Sequence, residues 1–73
     1  MQNRLEQFRS QKGMTQQELA DRVDVSRQTI ISLERGRYNP SILLAHRLAR
    51  EFGVTIEDVF IFSEEEQVNE SSE

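Results

Sequence analysis

The chain has 73 residues, a single proline, no cysteine and a formal net charge of −4. That length makes one domain, and the lack of cysteine excludes a disulfide framework and a thiolate metal site. The longest apolar runs, Ile42–Ala45 and Val59–Phe62, are too short to span a bilayer, and the polar N-terminus carries no signal-peptide pattern.

In chain order the sequence predicts five short helices, near residues 3–12, 15–23, 26–35, 41–52 and 55–60. The first turns Leu5 and Phe8 inward, and Asn3 with Glu6 has the capping-box spacing of an N-cap acceptor and a carboxylate three residues on. The second opens at Thr15, with Glu18 in the same relation, and faces Leu19 and Val23 to the core. The third opens at Ser26, with Thr29 where a capping box has Glu or Gln, and buries Ile30 and Leu33. Pro40 pre-sets the approach to the fourth, which starts near Ser41. Its inward positions are Ile42, Ala45, Leu48, Ala49 and Phe52, at the 3- and 4-residue spacings of a helix face. The fifth pairs Thr55 with Asp58 as a shorter-armed cap and turns Ile56 inward. Gly13, Gly36 and Gly53 each follow a helical pattern, where a left-handed residue ends the turn. No strand alternation is present, so the fold class is all-α, a compact five-helix bundle. Val59–Phe62 either extends the last helix or forms a short terminal strand. From Ser63 on, the composition is Glu, Ser, Asn and Gln with one Val, so residues 63–73 are expected to be an acidic, disordered tail beyond a domain of residues 1–62.

Charge distribution decides more than the total. Five of the thirteen carboxylates, Glu64, Glu65, Glu66, Glu70 and Glu73, lie in that tail, whereas residues 1–62 hold all nine basic residues against eight acidic ones. Between Arg27 and Arg50 five arginines stand beside one carboxylate, Glu34. The middle of the chain is locally basic, as an anionic duplex requires.

The window Gln16–Arg35, QQELADRVDVSRQTIISLER, reads as helix, tight turn and helix. Leu19 and Val23 face the core, and Ala20 is small where a second helix crosses closely. Val25 plugs the turn, and Ile30 and Leu33 anchor the second helix from below. Arg27, Gln28 and Ser32 are left facing outward from its N-terminal half, and they are donors of the kind that read base edges. The bland alternatives are a solvated surface charge at Arg27, an exposed first-turn amide at Gln16 and a water-bound hydroxyl at Ser32. The hydroxyls and carboxylates assemble no nucleophile–base pair, and no glycine-rich phosphate loop is present. His46 has no second soft ligand beside it. The chain is therefore expected not to be an enzyme and to hold no metal or cofactor.

These segments, GMTQQELADRV, VSRQTIISLERGRYNPS and LAREFGVTIEDVF, resemble the Cro and phage-repressor type helix-turn-helix regulators, the xenobiotic-response-element family, over about Asn3 to Phe60. The resemblance implies a lambda-repressor-like bundle that binds double-stranded DNA, generally as a homodimer on a two-fold operator, in the cytoplasm with the nucleoid. It implies base contacts from Arg27, Gln28 and Ser32, with Thr29 near the backbone or a thymine methyl. It implies phosphate contacts from Gln16, Arg35, Arg37, Tyr38 and Asn39. Arg9 and Glu34 stand where the family often has a structural ion pair between the first and third helices. The turn position usually held by glycine is Asp24 here, and Asp tolerates left-handed backbone better than most residues.

Leu43, Ile61 and Phe62 remain after the core is filled and are expected to form a small self-association face, with the chain end able to pair as a strand across the two-fold axis. Such a dimer sets two reading helices ~34 Å apart. The leading expectation is a sequence-specific transcriptional regulator, a repressor, with no small-molecule effector and no membrane partner. The alternative is a protein-interaction module, such as an antitoxin or anti-repressor, acting through that apolar face or the acidic tail.

Overall fold

The computed structural model describes residues 2–37 and 39–62. Within them the order is α1 (Leu5–Gln11), α2 (Gln16–Val23), α3 (Arg27–Glu34), α4 (Ile42–Phe52) and α5 (Ile56–Val59). All five predicted helices are present, each a residue or two shorter at its ends. Four start where the sequence places a cap: the side chains of Thr15, Ser26, Ser41 and Thr55 each accept the backbone N–H three residues on. Thr15 with Glu18 and Thr55 with Asp58 close reciprocal capping boxes, so the cap residue's own N–H is satisfied as well.

The first helix departs from expectation. Asn3 and Glu6 form no capping box; Arg4 occupies the N-cap position of α1 and makes no side-chain cap. Asn3 is committed elsewhere, because its Nδ2 donates to the Leu33 carbonyl at 2.7 Å while its Oδ1 accepts from Leu5 N–H at 3.1 Å. It thereby adds a bond to a carbonyl in the last turn of α3 that also accepts the Gly36 N–H. Asn3 also pairs with Phe60 in an antiparallel bridge, flanked by Arg4 N–H to the Val59 carbonyl and Ile61 N–H to the Gln2 carbonyl. Of the two readings left open for Val59–Phe62, the chain takes the extended one, ending α5 at Val59 and pairing with its own N-terminal segment.

The core joins all five helices through Leu5, Leu19, Ala20, Val23, Ile30, Leu33, Leu48 and Val59, with Phe60 closing one end. Phe8 and Ile56 are half-buried against it, and the Phe8 ring stacks on Phe52 with centroids 5.5 Å apart. Ile42 corrects the sequence reading, since it is 83% exposed and Leu44 is buried in its place. The inner stripe of α4 is Leu44, Ala45, Leu48, Ala49 and Phe52. At about 100° per residue, Ile42 lies roughly 200° round the helix from Leu44, on an end that no other helix among the described residues covers.

Asp24 ends α2 at φ 62°, ψ 48°, the left-handed conformation its position in the turn requires. Its amide closes on the Ala20 carbonyl, and Val25 N–H follows onto the same oxygen at 3.0 Å. Ala20 is fully buried and Val25 packs half-buried against the core, so the turn is tight because a small residue lies beneath it. Gly53 plays the corresponding part after α4, at φ 68°. Among the described residues no helix is long and apolar enough to cross a membrane.

Candidate nucleic-acid interface

The N-terminal ends of α2 and α3 come together on one side of the molecule. Arg9, Thr15, Gln16, Gln17 and Arg27 line a single open groove there. Both helix starts are capped by side chains, which leaves further N–H groups and the positive dipole ends facing that side.

Arg27 and Gln28, the first two residues of α3, are fully on its exposed face, whereas Thr29 and Ser32 are half-buried. Ile30 and Leu33 are 0% exposed, which fixes how the helix is rotated. Thr29 is partly spoken for, because its N–H donates to Ser26 Oγ at 3.2 Å and its hydroxyl lies 3.0 Å from the same oxygen. It braces the cap, and Arg27 and Gln28 are the long polar side chains left to project.

Arg9 and Glu34 meet as the residues of a mostly buried ion pair. Arg9 Nε lies 2.6 Å from Glu34 Oε2, with the two side chains 14% and 6% exposed. A second bond runs from Nη2 to Oε1 at 3.2 Å, and Nη1 donates to the Met14 carbonyl at 2.8 Å, just before the cap of α2. The carboxylate's hydrogen bond and charge hold the Arg9 guanidinium above its usual range, against burial that pulls it down. Gln16 Nε2 donates to Glu34 Oε1 at 3.1 Å.

Beyond α3, Arg35 and Arg37 are exposed in the turn that follows, with Arg37 N–H bound to the Ser32 carbonyl at 3.0 Å. Asn39 is exposed but borders a different, apolar groove with Pro40, Ile42, Ala45, Phe60 and Phe62. Tyr38, expected at a phosphate, lies outside the described residues, as does the acidic tail 63–73. The basic middle of the chain divides in space: Arg47 and Arg50 line a separate groove with Arg22, Asp24, Leu43 and His46, where Arg22 reaches Glu51 at 3.1 Å.

Two surface residues escaped sequence reasoning, Gln17 unmentioned and Ile42 assigned to the core. Gln17 shares the groove of Gln16 and Arg27, its amide held by Asp21 Oδ1 at 2.9 Å; the i, i+4 spacing was visible, but the groove was not. Ile42 joins Leu43 and Phe62, 55% and 45% exposed, as a large apolar residue open to solvent, while Ile61 is half-buried. The run Ile42-Leu43-Leu44 carried the signal, since three consecutive residues cannot share one helix face.

The helix-turn-helix family model matches residues 5–59. The chain is 56% identical over 66 residues to an uncharacterised helix-turn-helix-type transcriptional regulator of Archaeoglobus fulgidus, spanning 90% of this chain and 93% of that one. Among solved structures it resembles the restriction–modification controller protein C.AhdI of Aeromonas hydrophila, with TM-score 0.71, 30% identity and coverage of 78% of this chain and 86% of that one. It also resembles the biofilm master regulator SinR in complex with DNA, with TM-score 0.68, 31% identity and coverage of 74% and 87%; SinR is a Bacillus subtilis protein. The capped pair α2–α3, its turn at Asp24 and this breadth of likeness have one reading: the chain belongs to the Cro/C1-type helix-turn-helix family of DNA-binding transcriptional regulators, not to any enzyme family.

Proposed function

We propose that this regulator binds a two-fold operator as a homodimer, inserts α3 into the major groove and represses by occupying the site. The observation that carries this reading is the shared groove at the N-termini of α2 and α3, where Gln16 and Arg27 stand side by side. One helix start meets the phosphate backbone while the other presents its first side chains to base edges. Arg27 donates in bidentate fashion to a guanine and Gln28 to an adenine, the pairings their geometry favours. Ser32 and Thr29 sit lower on the helix and contribute short contacts. Arg35 and Arg37, with Tyr38 and Asn39, follow the phosphates as the chain leaves the groove.

The dimer reading rests on Ile42 and Phe62, large apolar side chains exposed at one apolar groove, with Leu43 exposed next to Ile42 on α4 but lining the neighbouring groove of Arg47 and Arg50. Ile61 N–H is hydrogen-bonded to Gln2 of its own chain, so one edge of the terminal segment is occupied and the proposed contact is carried chiefly by side chains. Repression needs nothing beyond occupancy, and the reading places the protein in the cytoplasm with the nucleoid.

Selection of bound duplexes from a random DNA pool tests the whole proposal. A two-fold consensus with half-sites about one helical turn apart is expected. An asymmetric consensus removes the dimer, and enrichment of no sequence at low salt removes operator recognition and favours a protein-interaction role on the same scaffold.

A further inference from the structure

Glu34 does more than neutralise Arg9. Its carboxylate is 6% exposed and accepts three hydrogen bonds, two from Arg9 on α1 and one from Gln16 on α2, so one side chain of α3 ties three helices together. All three nitrogens of Arg9 are engaged within the protein, the third on the Met14 carbonyl. Gln16 differs. Its amide group has two protons, of which one lies on Glu34, and its side chain lines the groove beside Arg27. A glutamine in the first turn of a helix has three side-chain torsions to order when it binds; here the carboxylate has already ordered them. A bare carboxylate at this place would repel a phosphate, and the two bonds from Arg9 cancel that charge.

We propose that Glu34 is a positioning residue for DNA binding: with Arg9 neutralising it, its carboxylate holds the Gln16 amide so that the second amide proton points at a backbone phosphate. The inference rests on the reading of Gln16 as a phosphate-contacting residue. It assigns Glu34 a part in affinity without any contact of its own with DNA.

A double-mutant cycle on the full chain separates this role from simple structural support. The probes are a duplex carrying the selected consensus and a random-sequence duplex of equal length. In the wild type, Gln16→Ala weakens binding to both about tenfold for each protomer engaged, the worth of one hydrogen bond to a charged group. The background for the second arm is Arg9→Met with Glu34→Leu, which replaces a buried pair by apolar side chains of similar size and leaves such sites folded. There Gln16→Ala changes binding by less than about twofold, and the Gln16 side-chain amide, rigid in the wild-type NMR spectrum, becomes mobile. An equal loss in both backgrounds overturns the positioning role. No loss in the wild type instead overturns the phosphate assignment of Gln16 on which it rests. Should the apolar pair fail to fold by circular dichroism, Glu34→Asp takes its place under the same criterion, keeping the charge beside Arg9 but shortening the arm that reaches Gln16.

Discussion

Arg27 and Arg37 are both exposed arginines within one short stretch, yet they stand in different surroundings. Arg27 projects from the first turn of a capped helix beside Gln16, and Arg37 lies in the turn after the helix has ended. The expected outcome is that Arg27→Ala lowers discrimination between operator and random DNA by about 1–3 kcal/mol. Arg37→Ala should weaken both alike and reduce the salt slope of binding by about one. Fluorescence anisotropy at several salt concentrations measures both. The Arg9–Glu34 pair gives a contrasting prediction in stability. Arg9→Met alone leaves a largely covered carboxylate without its cation and is expected to cost about 1–3 kcal/mol in a urea titration, more than an exposed pair such as Arg22–Glu51 would. The pairing of Arg9 with Glu34 was legible in the sequence only through family resemblance; the third partner, Gln16, was not. No spacing rule connects residues 16 and 34, because the contact is made by the crossing of α2 over α3.

Among the elements, caps decide where helices begin. The four Ser and Thr caps appear where side-chain chemistry places them, because the interaction is local and spans three residues. Asn3 keeps part of that local chemistry, its Oδ1 accepting Leu5 N–H, while its Nδ2 goes to a tertiary partner, the Leu33 carbonyl. In the two capping boxes, Glu18 and Asp58 lie below their ordinary carboxylate ranges, chiefly because the backbone N–H of Thr15 or Thr55 donates to them and secondarily through the threonine hydroxyl. A carboxylate held low in the folded state stabilises above its unfolded pKa, and that contribution is lost as pH falls through the folded value. Thermal melts should therefore show stability declining as pH drops below about 4.5, and Glu18→Gln with Asp58→Asn should flatten that decline. At the turn, Asp24 holds a left-handed backbone that costs a non-glycine residue energy. Asp24→Gly is expected to stabilise by up to about 1 kcal/mol, less the greater freedom glycine has when unfolded. For a domain of this size that raises Tm by a few degrees, readable by calorimetry.

For the molecule as a whole, the apolar balance is what the helix pattern could not close. Leu43 and Phe62 were legible as surplus, but Ile42 was read as core, because its three-residue spacing from Ala45 satisfies a helical face. Which edge of that face is covered depends on where the other helices lie. Ile42→Asp is expected to leave folding intact, since the side chain is 83% exposed, while lowering self-association in sedimentation measurements. Operator affinity should fall with it, and affinity for an isolated half-site should not.

By itself the sequence determined the five helices, the capped starts of four of them, the left-handed turn at Asp24 and the outward face of α3, because each depends on residues within one or two helical turns. Only the tertiary structure decided that Asn3 binds the end of α3 as well as the start of α1, that Val59–Phe62 pairs with the N-terminal segment, and that Ile42 is left in solvent. It alone added Gln16 to the Glu34 carboxylate that Arg9 also binds. Those outcomes depend on which surfaces meet when the helices cross, and a chain read one turn at a time does not contain the crossing.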